Sequence, residues 1–171
     1  MGQGELFALS QDLTQQLIEC EDSGQLMELI SSIEESWDEE NRQSVGKEWN
    51  LIQCCLSDGT CNPVGGSYPL NRCILGGRHL LPPNDGYMAV LVMPQEVRDV
   101  NDALDRLDEP WFRERFTELF AVEYEGTGSD RRLDELQSIF SAIRRFYLAA
   151  SRGHRAVLFT TDETLDAIYR A

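Results

Sequence analysis

The sequence predicts an α+β fold: a single domain spanning residues 1–171, with a small mixed sheet of about four to five strands packed by about six helices. Three observations lead there. Leu133, Leu136, Phe140, Ile143, Tyr147 and Ala150 recur at steps of three and four, marking one stripe of a long helix, and Ala156-Val157-Leu158-Phe159 follows as a short apolar strand. Strand-like runs at 5–9, 70–75, 87–92 and 156–160 stand apart from one another, with a short fifth near Val45. Helical patterns fill the intervals, and no regular strand–helix–strand alternation is present.

The chain opens with the strand-like Glu5-Leu6-Phe7-Ala8-Leu9. Ser10 then offers an N-cap hydroxyl, with Asp12 in the first turn, for a helix carrying Leu13, Leu17 and Ile18. Asp22-Ser23-Gly24 breaks it, and a second helix follows with Leu26, Ile30, Ile33 and Trp37 on one face. Trp49, Ile52 and Leu56 share a face of a short, strongly apolar helix stopped at Gly59. Turn residues dominate Asn62 to Ser67, and Leu70 to Leu75 reads as a strand ended by Gly76-Gly77. These glycines make no phosphate loop and are expected to permit close backbone approach or unusual turns.

After the loop from Leu80 to Gly86 comes the strand Tyr87 to Val92. Pro94 opens a helix at a position that tolerates it, with Val97, Val100, Leu104 and Leu107 as its stripe. Phe112, Phe116, Leu119 and Phe120 mark another, and Gly126-Thr127-Gly128-Ser129-Asp130 separates it from the long helix. Gly153 stands where a helix end favours a left-handed residue, and His154 suits the negative end of the helix dipole. A last short helix, capped by Thr161 or Asp162, would hold Leu165, Ile168 and Tyr169.

Charge narrows the classes of function. The formal net charge is −15, and residues 1–71 carry −11 of it, with Arg42 and Lys47 their only bases. Such a field repels nucleic acid and anionic membrane and steers basic proteins inward. Between Glu19 and Glu40 there are nine acids and no base. The cluster Glu34, Glu35, Asp38, Glu39 and Glu40 is therefore the expected docking surface, with Tyr68 and Tyr87 as aromatic anchors at the loops. Arg131, Arg132, Arg144, Arg145, Arg152 and Arg155 form a basic group expected to pair with the chain's own carboxylates. No apolar run is long enough to span a bilayer, and Met1 to Glu5 lacks the basic start of a secretory signal, so a cytoplasmic protein is expected.

Catalytic signals are sparse. Cys20, Cys54, Cys55, Cys61 and Cys73 are odd in number and contain no C-x-x-C pair, as small buried side chains would be. No metal or cofactor is expected, since Cys61, Cys73 and His79 match no zinc spacing. The weak catalytic candidates are His79, Asp85 and Cys73, around the loops at 59–87.

Several motifs together resemble the YfbM-like family of small bacterial proteins, a domain of unknown function. They are the W-x(6)-L-x-x-G pattern from Trp49 to Gly59, Gly76-Gly77, Gly86-Tyr87, and Met93-Pro94-Gln95-Glu96-Val97. Phe146-Tyr147-x-Ala149-Ala150 with Gly153 and Ala156-Val157-Leu158, and the opening Met1-Gly2, complete them in one order along the chain. The resemblance implies a cytoplasmic α+β domain without an established reaction, and for some members an immunity role beside a toxin. Gln53 stands where the family pattern often has histidine, so a shared histidine base at that position is not available here. The expectation is binding rather than catalysis: an immunity-type inhibitor of a basic toxin or effector. The alternatives are an enzyme using the 59–87 loops, or a homodimer with a structural role.

Overall fold

A computed structural model of the chain describes residues 2–36, 38–82, 86–120 and 129–163. In chain order these form β1 (Gly4–Leu9), α1 (Gln11–Glu19), α2 (Ser23–Glu35), β2 (Arg42–Gly46), α3 (Trp49–Leu56), β3 (Arg78–His79), β4 (Met88–Val92), α4 (Pro94–Leu104), α5 (Glu109–Phe120), α6 (Ser129–Arg152) and β5 (Ala156–Thr161). The α+β class holds. The expected terminal helix beyond Asp162 lies outside the described residues, as do Trp37 and Asp85.

The five strands make one sheet in the order β2-β1-β5-β4-β3. Every pairing is antiparallel, so the sheet is not mixed. Strand direction was illegible because β4 and β5 are buried along their whole length and read as unbroken apolar runs. Such runs usually mark parallel strands, but here an antiparallel sheet is covered on both faces. The side-chain period of two then divides the core. Leu6, Ala8, Val157, Phe159, Val90 and Val92 face α3, α4, α5 and α6, whereas Phe7, Leu9, Leu158 and Leu91 face α1 and α2. Both sheet edges resist pairing with other chains: β3 has two residues, and β2 carries the exposed Arg42.

Helix starts follow side-chain chemistry. Ser10 accepts from the Leu13 N–H at 3.3 Å and Asp22 from the Gln25 N–H at 2.8 Å. Ahead of Pro94, the Glu96 carboxylate reaches back to the Met93 N–H at 2.9 Å. Asp108 caps α5 through the Trp111 N–H at 2.9 Å.

Two local expectations are corrected. Leu70 to Leu75 is not a strand: Leu70–Arg72 forms a 3-10 turn and the chain coils on through Leu75, with the strand displaced to Arg78–His79. Cys73, Ile74 and Leu75 are buried, and buried polar side chains serve this coil's backbone. Tyr147 donates its hydroxyl to the Cys73 carbonyl at 2.6 Å, and the Leu75 N–H donates to Gln53 Oε1 at 3.2 Å. A short apolar run reads alike whether the backbone extends or coils.

The second correction is at the end of α6. His154, not Gly153, takes the left-handed conformation, at φ 52°. The Arg155 N–H bonds the Ala150 carbonyl and the His154 N–H bonds that of Ser151, the paired bonds of a Schellman ending with histidine in the usual glycine place. The His154 side chain is exposed. His154→Gly is therefore expected to stabilise the protein by about 0.5–1 kcal/mol, because relief of the left-handed penalty outweighs glycine's added unfolded-state entropy. A rise in thermal midpoint of about 1–4 °C checks it; a fall would show that the imidazole holds the helix end.

Candidate functional site

Where the apolar face under α1 and α2 runs out, the sheet ends in a polar row. Glu5 lies two residues before Phe7, Thr160 two after Leu158, and Tyr87 two before Ala89, so all three continue the face that α2 covers. The register pairs Glu5 with Thr160 and Thr160 with Ala89. Helix α2 docks on this face through Leu26, Ile30 and Ile33, which brings the next residue, Glu34, over the polar row.

Glu34 Oε1 accepts two hydrogen bonds, one from the Tyr87 hydroxyl and one from Thr160 Oγ1 at 2.7 Å. Thr160 is buried and Glu34 is half-buried. Burial, and then donation to Glu34, push the Tyr87 hydroxyl above its ordinary range, so it stays a neutral donor. Beside them Arg42 pairs with Glu5 at 3.1 Å and lies over the Phe7 ring. Hydrogen bonding to Glu5, and then its charge, raise the Arg42 guanidinium. The arrangement is a carboxylate fixed in place by two neutral hydroxyl donors. Among the described residues no cluster of three or more His, Cys, Asp or Glu side chains could hold a metal.

The structure thus joins Glu34 and Tyr87, which the sequence offered as separate surface groups. Glu35, Asp38, Glu39 and Glu40 stay exposed, the last two on a 3-10 turn over Glu39–Asn41. Tyr68 belongs to the opposite layer. Its hydroxyl donates to Asp99 of α4 and Arg72 lies 5.9 Å from its ring centroid. That bond to Asp99, with minor help from desolvation and charge, pushes the Tyr68 hydroxyl up to about 12.

Of the weak catalytic candidates, His79 and Cys73 fall within the described residues. His79 Nε2 donates to the Leu75 carbonyl at 2.9 Å. Cys73 is almost wholly buried, which pushes its thiol up to about 12. Among the described residues no hydrogen bond joins His79 to a cysteine.

The arginines divide. Arg132 reaches Glu48 at 2.7 Å and Arg131 reaches Glu135 at 3.2 Å, as expected for internal pairing. Arg144 donates instead to the Leu104 carbonyl, and Arg155 lies 3.5 Å from that of Ala8. Arg144 and Arg145 also line a surface groove of about 280 Å³ with Asn101, Asp105, Glu109 and Ser141. Its acids and bases offset one another, and it favours neither sign of ligand.

One arrangement escaped the sequence reading. Cys54 Sγ and Cys61 Sγ are 3.2 Å apart. The signal was present in the glycine between them: Gly59, at φ 91°, turns the chain back so that its N–H meets the Cys54 carbonyl at 3.1 Å.

Comparison with known proteins fits this architecture. A family model described as "Domain of unknown function (DUF1877)" matches residues 1–160. Among solved structures, YfbM from Escherichia coli, a protein of unknown function, superposes with a TM-score of 0.66 at 18% sequence identity. The match covers 94% of this chain and 99% of YfbM, and at that identity it speaks for the fold alone. No curated protein matches the chain. The antiparallel sheet, its two helical layers and the family match over residues 1–160 agree with the motifs: the chain belongs to the YfbM-like family, the DUF1877 domain of unknown function.

Proposed function

We propose that this protein works in the cytoplasm by binding another protein, as an immunity-type inhibitor of a basic toxin or effector. The supporting observation is a surface of unused negative charge. Glu28, Glu35, Asp38, Glu39 and Glu40 are exposed on α2 and the turn after it, and none of them forms an ion pair among the described residues. Among the described residues the ion pairs lie elsewhere: Arg42, Arg72, Arg113, Arg115, Arg131 and Arg132 engage other carboxylates. Helix α2 is meanwhile anchored through Glu34, so Glu28 and Glu35 ride on a fixed support. Rigid like charges of this kind accelerate the encounter with a basic partner at little entropic cost.

Gene neighbourhood supplies the partner for the test: a basic toxin or effector encoded next to this chain is purified and its association measured, and a neighbourhood that encodes none counts against the proposal. The association rate should fall steeply as salt rises. The triple reversal Glu35→Lys, Glu39→Lys and Glu40→Lys should slow association at low salt by about 10-fold or more. Folding should be unaffected, because these side chains support nothing. Equal rates for wild type and variant would refute docking through this surface.

A further inference from the structure

We propose that Cys54 and Cys61 form a two-electron redox site that reacts with hydrogen peroxide and closes to a reversible disulfide. The argument is independent of the docking proposal and rests on four features of the pair. First, the sulfurs are 3.2 Å apart, inside van der Waals contact, and closing the bond requires a shift of about 1.2 Å. Second, the two partners sit on different kinds of backbone. Cys54 belongs to the buried helix α3, whereas Cys61 follows Gly59 in an irregular segment without helix or strand until Leu70.

Third, access is asymmetric in the useful sense. Cys61 is half-buried and open to a small oxidant, while Cys54 is 7% exposed and waits behind it. Fourth, the protonation order matches. The Cys54 S–H donates to Cys61, which lowers the Cys61 thiol below its ordinary value and raises that of Cys54. The Cys61 S–H in turn donates to the Asn50 carbonyl at 3.3 Å, a contact that orients the sulfur toward α3 and is given up when the thiol ionises. Cys61 is the attacking sulfur and Cys54 the resolving one.

The other cysteines lack this arrangement. Burial pushes Cys55 and Cys73 up to about 12, so both remain thiols. Cys20 is half-buried, packs at the edge of the α1 and α2 layer, and its S–H donates to the Asp22 carbonyl at 3.4 Å.

The chemistry balances. The Cys61 thiolate attacks one peroxide oxygen, the O–O bond breaks, and the departing hydroxide takes up a proton as water. Cys61 is now a sulfenic acid. The Cys54 sulfur attacks it, the S–O bond breaks, and the Cys54 proton leaves with the hydroxyl as a second water. Two thiols have lost two electrons and one peroxide has gained them. A thiol reductant restores the starting state. Oxidation fastens the segment around Cys61 to the end of α3, a covalent lock that appears only under oxidising conditions.

Peroxide treatment of the native full-length chain tests it. The titratable thiols, counted after denaturation, should fall from five to three, with a mass loss of about 2 Da and a Cys54–Cys61 linkage in the peptide map. Dithiothreitol should reverse all three. Cys54→Ser should stop the reaction at the Cys61 sulfenic acid, which dimedone traps. Cys61→Ser should lose thiols at least about 10-fold more slowly than wild type. Retention of all five thiols in the treated wild type, or oxidation of Cys20 ahead of the pair, would overturn the proposal; because this readout uses unaltered protein, it does not depend on either variant folding.

Discussion

Trp49→Ala is expected to cost about 3–5 kcal/mol of stability, a large share of the 5–15 kcal/mol usual for a domain. Trp49 has no exposed surface, and its ring lies 5.3 Å from that of Phe159. Its Nε1–H donates to the Gly2 carbonyl at 3.1 Å. Gly4 leaves the indole its room, for a Cβ there would lie 2.7 Å from Trp49 Cδ1. The side chain therefore ties α3 to two neighbouring interior strands, β1 and the central β5, at once. Removing it opens a cavity among residues that cannot collapse without breaking strand register. Trp49→Phe keeps most of the apolar volume and loses the hydrogen bond, so it should cost about half as much. Urea unfolding followed by circular dichroism measures both. A loss below about 1 kcal/mol for Trp49→Ala would mean that the α3 contact is dispensable.

Gly76→Ala is the second large effect, and its cause is steric. A Cβ at Gly76 would lie 2.2 Å from the Asn71 carbonyl oxygen and 2.8 Å from its carbon. The Gly76 N–H is bonded to that same oxygen at 2.9 Å. Backbone must move to admit the methyl group, and that backbone belongs to the coil held by Gln53 and Tyr147. A cost of about 2–3 kcal/mol follows, at the upper end for overpacking. Gly86→Ala is the contrast. Gly86 has φ 69° with nothing within 4 Å of the added Cβ, so only the conformational penalty of about 1 kcal/mol applies. Thermal midpoints of the two variants should rank accordingly. The reverse order would show that the coil after Pro69 yields easily.

The amphipathic stripes of α4, α5 and α6, the caps at Ser10 and Pro94, and the strands β1, β4 and β5 could be read along the chain, because each is a local pattern of side chains repeating over a few residues. The close approach of Gly76 and Gly77 was also foreseeable, although which backbone they meet was not. At the candidate site, Glu34 and Tyr87 were each visible as polar or aromatic surface residues. Their hydrogen bond was not, since 53 positions separate them in sequence.

Leu70 to Leu75 shows the limit of local reading. Its apolar run specified burial, and the choice between strand and coil was made by Gln53 and Tyr147, whose polar groups satisfy the coiled backbone from other elements. Antiparallel direction and the contact between Cys54 and Cys61 were decided in the same way. Composition and periodicity alone determined that this chain packs apolar helices against a short sheet and carries an acidic first half, whereas the split of those helices into two layers came only with the fold. The tertiary structure decided which carboxylate is anchored, which stay free, and which two sulfurs meet. Hydrogen bonds and sulfur contacts act over about 3 Å, and only folding brings distant residues within that range.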